Sequence, residues 1–282
     1  PNQPFTIAKP NVDACSLTIT VPNGSQVIVP SGVTLTITNA VTSNGRLVFK
    51  NNSSLLQTTN VQNSGNIIYE RETNIRRFDL TYWSSPVTKA GGFTMHDFSP
   101  TTLFDKYFYF NPSSTWVTNM NGTMSMETGN GYSIRGPQEF DTVTPSVFTG
   151  TFTGVPNNGD ITVAGVTNNG VVTMPIIIDK FFLFGNPYPS AIDVDALLDA
   201  NLNVLGALYF WTHVTPPQKP AGDNTYRYSS NDYVVYTSTG ATNVEGGPAA
   251  KPFDGFIAAG QGFIAKPKAT QIHFNNGMRV GE

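Results

Sequence analysis

Leu17-Thr18-Ile19-Thr20 returns as Leu35-Thr36-Ile37-Thr38 and, more loosely, as Leu55-Leu56-Gln57-Thr58, at offsets of 18 and 20 residues. A second series is interleaved with the first: Asn23-Gly24-Ser25-Gln26-Val27-Ile28-Val29, then Asn44-Gly45-Arg46-Leu47-Val48-Phe49, then Ser64-Gly65-Asn66-Ile67-Ile68-Tyr69. Val27, Leu47 and Ile67 in this series are each 20 residues apart. Two short strand-like pieces per period, each bounded by an Asn-Gly or Ser-Gly turn, predict stacked coils of a short β-solenoid rather than hairpins. The expectation is an extended segment over 1–14, without a core pattern and free to lie against the coils or reach a neighbour. Solenoid coils follow over 15–72, with Val27, Leu47 and Ile67 in one ladder and Leu17, Leu35 and Leu55 in another.

A longer repeat covers the remainder. Phe78-Asp79-Leu80-Thr81-Tyr82-Trp83-Ser84-Ser85-Pro86, Lys106-Tyr107-Phe108-Tyr109-Phe110 and Gly129-Asn130-Gly131-Tyr132-Ser133-Ile134-Arg135 form one ordered set. Phe182-Leu183-Phe184-Gly185-Asn186-Pro187-Tyr188-Pro189, Ala207-Leu208-Tyr209-Phe210-Trp211 and Gly260-Gln261-Gly262-Phe263-Ile264-Ala265-Lys266 repeat it in the same order. Three matched elements in one order predict an internal duplication. Its halves, at about 76–153 and 177–275, build one β-sandwich-like domain over 73–282, because neither alone offers enough strands to cover a sheet on both faces. Gly131-Tyr132 should then occupy the place of Gly262-Phe263. The fold class read from the sequence is all-β with one short helix.

Composition sets the environment. Only 12% of residues are charged, against about 25% in an average globular protein. The surface is neutral and hydroxyl-rich. A net charge of −3 with no run of Lys or Arg leaves no electrostatic footprint for nucleic acid, and no apolar stretch approaches the length a membrane helix needs. The single cysteine, Cys15, reads as a small buried side chain at the start of the first coil, the alternative being a bond to another molecule. The chain starts at Pro1 without Met, shows no signal peptide and stops just after the strand-like Gln271-Ile272-His273-Phe274. It is therefore expected to be a piece of a longer protein.

The helix is expected over Ser190 to Asn203, with Ser190 as cap, Asp193 in the capping-box position and Leu197, Leu198 and Leu202 as the apolar stripe. Asp193, Asp195 and Asp199 also resemble a run of alternate metal ligands. Leu197 stands where a third ligand belongs, and no Gly turn or late Glu follows, so capping is the better reading and no metal site is assigned. Catalytic signals are equally thin. His96, His213 and His273 are far apart and read as core histidines. No nucleophile elbow occurs, the Gly-x-Gly pairs lack the third glycine of a dinucleotide loop, and the thirteen Asp and six Glu nominate no carboxylate pair. No cofactor and no enzymatic activity are expected.

Aromatic residues carry the sharper signal. The second half holds an insertion between Trp211 and Gly260 with Pro216-Pro217, Pro220, Gly222 and the tyrosines Tyr226, Tyr228, Tyr233 and Tyr236. Exposed aromatic rings on a β scaffold stack on sugars or anchor a partner, and long loops often carry such contacts. The candidate contact residues are Trp211, Tyr226, Tyr228 and Tyr233. The competing reading is that these tyrosines only cover a sheet edge.

Tyr82-Trp83-Ser84-Ser85-Pro86, Gly185-Asn186-Pro187-Tyr188-Pro189-Ser190-Ala191-Ile192-Asp193, Gly260-Gln261-Gly262-Phe263 and Phe274-Asn275-Asn276-Gly277-Met278-Arg279 together resemble a late, β-rich module of large cell-surface proteins of the Bacteroidetes. The resemblance spans about residues 15–280. It implies an extracellular, adhesin-like role after β-rich repeats and before a C-terminal signal for type IX secretion, a signal this sequence does not include. Two functions are thereby expected: a non-catalytic surface adhesion or fibre module touching neighbouring domains or subunits, or an accessory carbohydrate-binding domain of a secreted enzyme with Trp211 and the tyrosines as its platform.

Overall fold

Threonine and β-branched residues alternating with turn residues favour short extended strands, and the chain is all-β. A computed structural model describes residues 4–9, 11–20, 25–113, 115–222, 225–242 and 253–281. Pro1 to Gln3 and Pro10 of the N-terminal segment, and the Asn23-Gly24 turn, lie outside the described residues.

The first strands are β1 (Phe5–Thr6), β2 (Asn11–Ala14), β3 (Leu17–Ile19), β4 (Val27–Val29), β5 (Thr34–Ile37), β6 (Val41–Phe49), β7 (Ser54–Gln57) and β8 (Ser64–Ile75). All their mutual pairings are parallel. Val27 faces Leu47, which faces Ile67, as the offset of 20 requires, and side chains of like size stack in register. Leu35 faces Leu55. The third position of that ladder is filled by Val12, while Leu17 pairs with Val41. The matching tetrapeptides at 17 and 35 thus belong to different ladders, because the connection before β4 is of a different length from the one before β6. The N-terminal segment is also more ordered than its composition suggested. Phe5 and Thr6 pair with Val27 and Ile28, and Ile7 and Val12 pack against the core.

Cys15 is exposed, contrary to the reading that buried it, because it sits at the bend between β2 and β3 rather than on a strand's inner face. Inside, an amide network replaces apolar contact at one corner: Gln57 and Asn63 exchange two 2.8 Å hydrogen bonds, and Asn63 also accepts from the Val41 amide. One apolar cluster runs from Ile19 through Tyr69 to Phe152, so the parallel strands share a core with the next segment.

That segment contains β9 (Leu80–Trp83), β10 (Val87–Thr88), α1 (Met95–Phe98), β11 (Tyr107–Asn111), β12 (Thr115–Thr118), β13 (Tyr132–Arg135) and β14 (Ser146–Pro156). Strand β14 runs antiparallel along β8 from Ser146 opposite Ile75 to Gly154 opposite Ile67. Helix α1 was not expected from the sequence; Thr94 and Asp97 form a complete capping box at its start, which stabilises a single turn. The remainder comprises β15 (Ile161–Val163), β16 (Gly165–Asn168), β17 (Val171–Pro175), β18 (Phe182–Gly185), β19 (Ala191–Asp193), α2 (Val194–Ala200), β20 (Leu208–Trp211), β21 (Tyr233–Thr237), β22 (Gly240–Ala241), β23 (Phe256–Ile257), β24 (Gly262–Ala265), β25 (Ile272–Phe274) and β26 (Arg279–Val280).

Helix α2 begins later than expected. Asp193, not Ser190, is its cap and accepts from the Ala196 amide at 3.0 Å. Ser190 is fully buried and its Oγ accepts from Arg279 Nε at 3.2 Å, so that hydroxyl is already engaged. Leu202 lies past the helix end and is exposed.

The two long repeats have one topology. The first sheet is ordered β12-β11-β13-β9 and the second β22-β21-β20-β24-β18, with every neighbouring pair antiparallel. Registers match as well. Setting Tyr132 on Phe263 sets Trp83 on Phe184, Tyr107 on Leu208 and Trp116 on Tyr233.

The sheets meet along a reciprocal seam. Trp83 bridges Gln261 while Phe184 bridges Asn130, and Ser84 donates to the Gly260 carbonyl at 2.8 Å while Gly185 donates to the Gly129 carbonyl at 3.0 Å. Contacts that repeat with the partners exchanged are those of a two-fold interface. This explains the Gly-x-Gly pairs. Gly129 and Gly260 have positive φ, and a Cβ on Gly131 or Gly262 would lie 2.5 Å from Leu183 Cγ or 2.9 Å from Tyr82 Cβ, so neither position has room for a side chain.

Candidate functional site

Paired residues of antiparallel strands share a face. Leu80 and Tyr82 of β9, Ser133 and Arg135 of β13, Phe108 and Phe110 of β11 and Trp116 of β12 therefore lie together on one side of the first sheet. Leu183, Ile264, Tyr209, Trp211 and Tyr233 do the same in the second sheet. The opposite sides carry Tyr132 and Phe263, which are buried in the two main cores. Across the seam the two outer sides join into one aromatic face.

Its centre is a small buried cluster of Tyr82, Phe110, Leu183 and Ile264. The hydroxyls of Tyr82 and Tyr233 are 2.6 Å apart. Around them Phe110 meets Trp116 edge-on at 5.0 Å, and Trp211 meets Tyr233 edge-on at the same 5.0 Å. These two pairs occupy equivalent positions in the two halves. Edge-to-face packing fixes ring orientation while leaving ring faces available. Trp116 remains 41% exposed.

Two clefts open on this face. One, of about 310 Å³, is lined by Phe110, Trp116, Phe181, Tyr209, Tyr233 and Ile264 and contains no charged side chain. The other, of about 500 Å³, lies over Leu80 and Phe108, the counterparts of Phe181 and Tyr209. The insertion covers it: Tyr226 packs on Phe78 at 4.3 Å between ring centres, and the Tyr228 hydroxyl donates to the Phe78 carbonyl at 2.8 Å. Burial pushes the Tyr228 phenol up to about 12. Lys106 and Arg135 give this second cleft its positive charge.

Of the residues nominated from sequence, Trp211 and Tyr233 lie on the shared face, and Tyr228 touches Trp211 edge-on at 6.0 Å. Tyr226 stands apart, over Phe78. Trp211 is partly committed to structure, since its Nε1 donates to the Leu80 carbonyl at 2.9 Å. Tyr236 is turned away, with its hydroxyl on Asp195 and its ring against Phe253. Sequence reasoning missed Tyr82, Trp116, Phe181, Tyr209 and Arg135. Period-two alternation along Tyr107–Asn111 and Leu208–Trp211 would have placed Phe108 and Phe110, or Tyr209 and Trp211, on one side.

The histidines are not core residues as a group. His96 and His273 are exposed and His213 is half-buried. His213 adjoins the buried Arg76–Asp79 ion pair, its carbonyl accepting from Arg76 Nη2 at 2.8 Å. Burial lowers its imidazole pKa, opposed by Asp79. Among the described residues no three His, Cys, Asp or Glu side chains gather as a metal site. Asp193 and Asp195 are engaged as a cap and as an acceptor from Tyr236. No described helix is long and apolar enough to cross a membrane.

Two of the motifs that carry the family resemblance, at 185–193 and 274–279, build a separate knot of structure. Asn186 is fully buried and donates to the Ser190 and Ile257 carbonyls at 2.8 and 2.9 Å while accepting from the Tyr188 amide. Tyr188 donates to the Gly159 carbonyl at 2.6 Å, and Arg279 lies over its ring at 4.8 Å. Arg279 also binds Asn158, Asn276 and the Leu55 carbonyl.

No curated protein and no solved structure matches this chain. Residues 1–282 match the family described as "Domain of unknown function (DUF8693)", and the chain belongs to that family.

Proposed function

We propose that this chain is a non-catalytic adhesion module of a larger secreted, cell-surface protein, and that it holds carbohydrate on the aromatic face. One observation carries the reading: two matched sheets bring Phe110, Trp116, Tyr209, Trp211 and Tyr233 onto a single outer side, with Trp116 substantially exposed. Large rings on the outside of a rigid sheet lose little entropy on binding and offer both flat apolar surface and polar edges. Sugars present the complementary surface, with patches of C–H groups framed by hydroxyls. The low charge of the chain suits a neutral hydroxylated ligand.

Export by type IX secretion and placement beside β-rich repeats rest on the sequence resemblance to Bacteroidetes surface proteins. A structural role in the same assembly is favoured by a second observation. Strands β1 and β2 each pair on one side among the described residues, so the parallel ladders present an edge to which a neighbouring domain or subunit can add a strand.

Affinity electrophoresis through gels containing soluble β-glucan, xylan or mannan tests the carbohydrate reading. At least one polysaccharide should retard the protein, and Trp116→Ala and Tyr209→Ala should abolish the retardation while leaving the thermal transition in place. Equal mobility in every gel overturns it.

A further inference from the structure

Among the described residues two arginines are deeply buried without a carboxylate partner, and they are satisfied very differently. Arg279 gives its protons to Ser190 Oγ, Asn158 Oδ1, Asn276 Oδ1 and the Leu55 carbonyl. Arg135 is 6% exposed and, among the described residues, its guanidinium binds only Gln138 Oε1, through Nη2. Its Nε has no acceptor among the described residues. The guanidinium lies over the Phe78 ring, 5.5 Å from its centre, which offsets part of its lost hydration. The acid whose charge acts on it is already engaged: Asp105 is paired with Lys106 at 2.9 Å, and that ammonium holds its carboxyl below the usual range. Arg77 adds further positive charge nearby, and its Nε is spent on the Phe140 carbonyl at 2.7 Å.

A buried cation with open donor capacity is costly unless an anion completes it. Arg135 lines the cleft of about 500 Å³ formed by Phe78, Leu80, Phe108, Tyr226 and Tyr228, with Lys106 at its side. The equivalent residue in the other half, Lys266, is exposed, so burial of the charge is particular to this cleft.

We propose that the Arg135 cleft binds a carboxylated sugar, its carboxylate directed to Arg135 and Lys106 and its ring against Tyr226 and Phe108. This rests on the reading of the aromatic face as a carbohydrate surface and names the ligand class of one of its two clefts. Arginine matches a carboxylate geometrically, and charge-assisted hydrogen bonds are about twice as strong as neutral ones. The uncharged cleft at Trp116 is left for neutral units of the same chain.

The test compares a short galacturonate oligomer with its methyl ester, the same backbone without charge, by isothermal titration. The acid should bind at least about tenfold more tightly at low salt, and the difference should shrink as ionic strength rises. Lys106→Met, which changes a surface side chain, should weaken the acid several-fold and leave the ester unchanged, whereas Tyr226→Ala, which removes the ring contact, should weaken acid and ester alike. Arg135→Gln should abolish the preference, with circular dichroism checking the fold. Equal binding of acid and ester, both lost in Trp116→Ala, overturns the charged-cleft assignment while the carbohydrate reading stands. Binding of neither, with no neutral glucan, xylan or mannan retained, overturns both. Poly-glutamate binding as tightly as the galacturonate also overturns the assignment, because charge alone would then suffice.

Discussion

Tyr82 and Tyr233 share one proton-mediated contact across the seam, their hydroxyl oxygens 2.6 Å apart, although they lie in different halves of the repeat. Tyr82 is 7% exposed, so its hydroxyl depends on this partner. Tyr82→Phe should lower stability by about 1 kcal/mol, the net value of one such bond, measured as a shift in urea midpoint. A double-mutant cycle with Tyr233→Phe should return a coupling of similar size. Zero coupling would show that the two hydroxyls are each satisfied by water.

Close approach at the seam predicts a strong response to a single methyl group. Gly131→Ala and Gly262→Ala each place a Cβ inside contact distance, at 2.5 Å from the Phe184 carbonyl oxygen and 2.9 Å from Tyr82 Cβ, and should cost about 2 kcal/mol or more. Gly206, where an added Cβ would meet nothing beyond its chain neighbours within 4 Å, is the control. Gly206→Ala should be neutral or slightly stabilising.

The knot around Arg279 predicts long-range loosening. Arg279→Met keeps apolar volume but strands the Leu55 carbonyl and the Ser190 and Asn158 side chains, at a cost of about 3 kcal/mol. Since those acceptors include the backbone of β7, hydrogen exchange should rise at Ser54–Gln57, far away in sequence. Unchanged protection there would confine the role of Arg279 to its own loop.

Buried phenols predict the alkaline limit of the fold. Burial pushes Tyr107 and Tyr228 up to about 12 and Tyr132 and Tyr188 higher still, from an ordinary value of 10.0. A pKa raised by folding contributes stability that is fully present below the unfolded value and is lost as pH rises through the folded one. Stability should therefore be flat up to about pH 10 and decline steeply from there towards 12, followed by urea midpoints together with phenolate absorbance. Normal tyrosine titration in the folded protein would contradict the burial.

How far the sequence announced this structure depends on which regularity is read. An offset of 20 residues located the Val27, Leu47 and Ile67 ladder because equal spacing preserves both strand position and face. The tetrapeptide match at offset 18 misled, since identity of residues is not identity of register, and Leu17 went to Val41. Helix α2 was visible through Leu197 and Leu198, but its start was hidden by Arg279, which claims the Ser190 hydroxyl from 89 residues away. The candidate site was half legible. Trp211 and Tyr233 stand out as aromatics at and within an insertion, whereas Trp116 joins the site because two sheets meet and Arg135 because the insertion folds over the first sheet, and no local pattern encodes either. The motifs easiest to recognise, Asn186-Pro187-Tyr188-Pro189 and the segment ending at Arg279, hold the scaffold together and lie outside the aromatic face.

The reciprocal seam has a further consequence for how such a surface can change. Two identical subunits meeting this way carry identical binding sites, and any substitution appears in both. Here the two copies are one polypeptide, so each position mutates alone. One cleft holds a buried guanidinium and a tyrosine cover, while its counterpart stays uncharged and open. Tethering turns a symmetric contact into a pair of clefts at fixed separation whose linings can diverge independently, so the face as a whole acquires a direction that a symmetric dimer lacks.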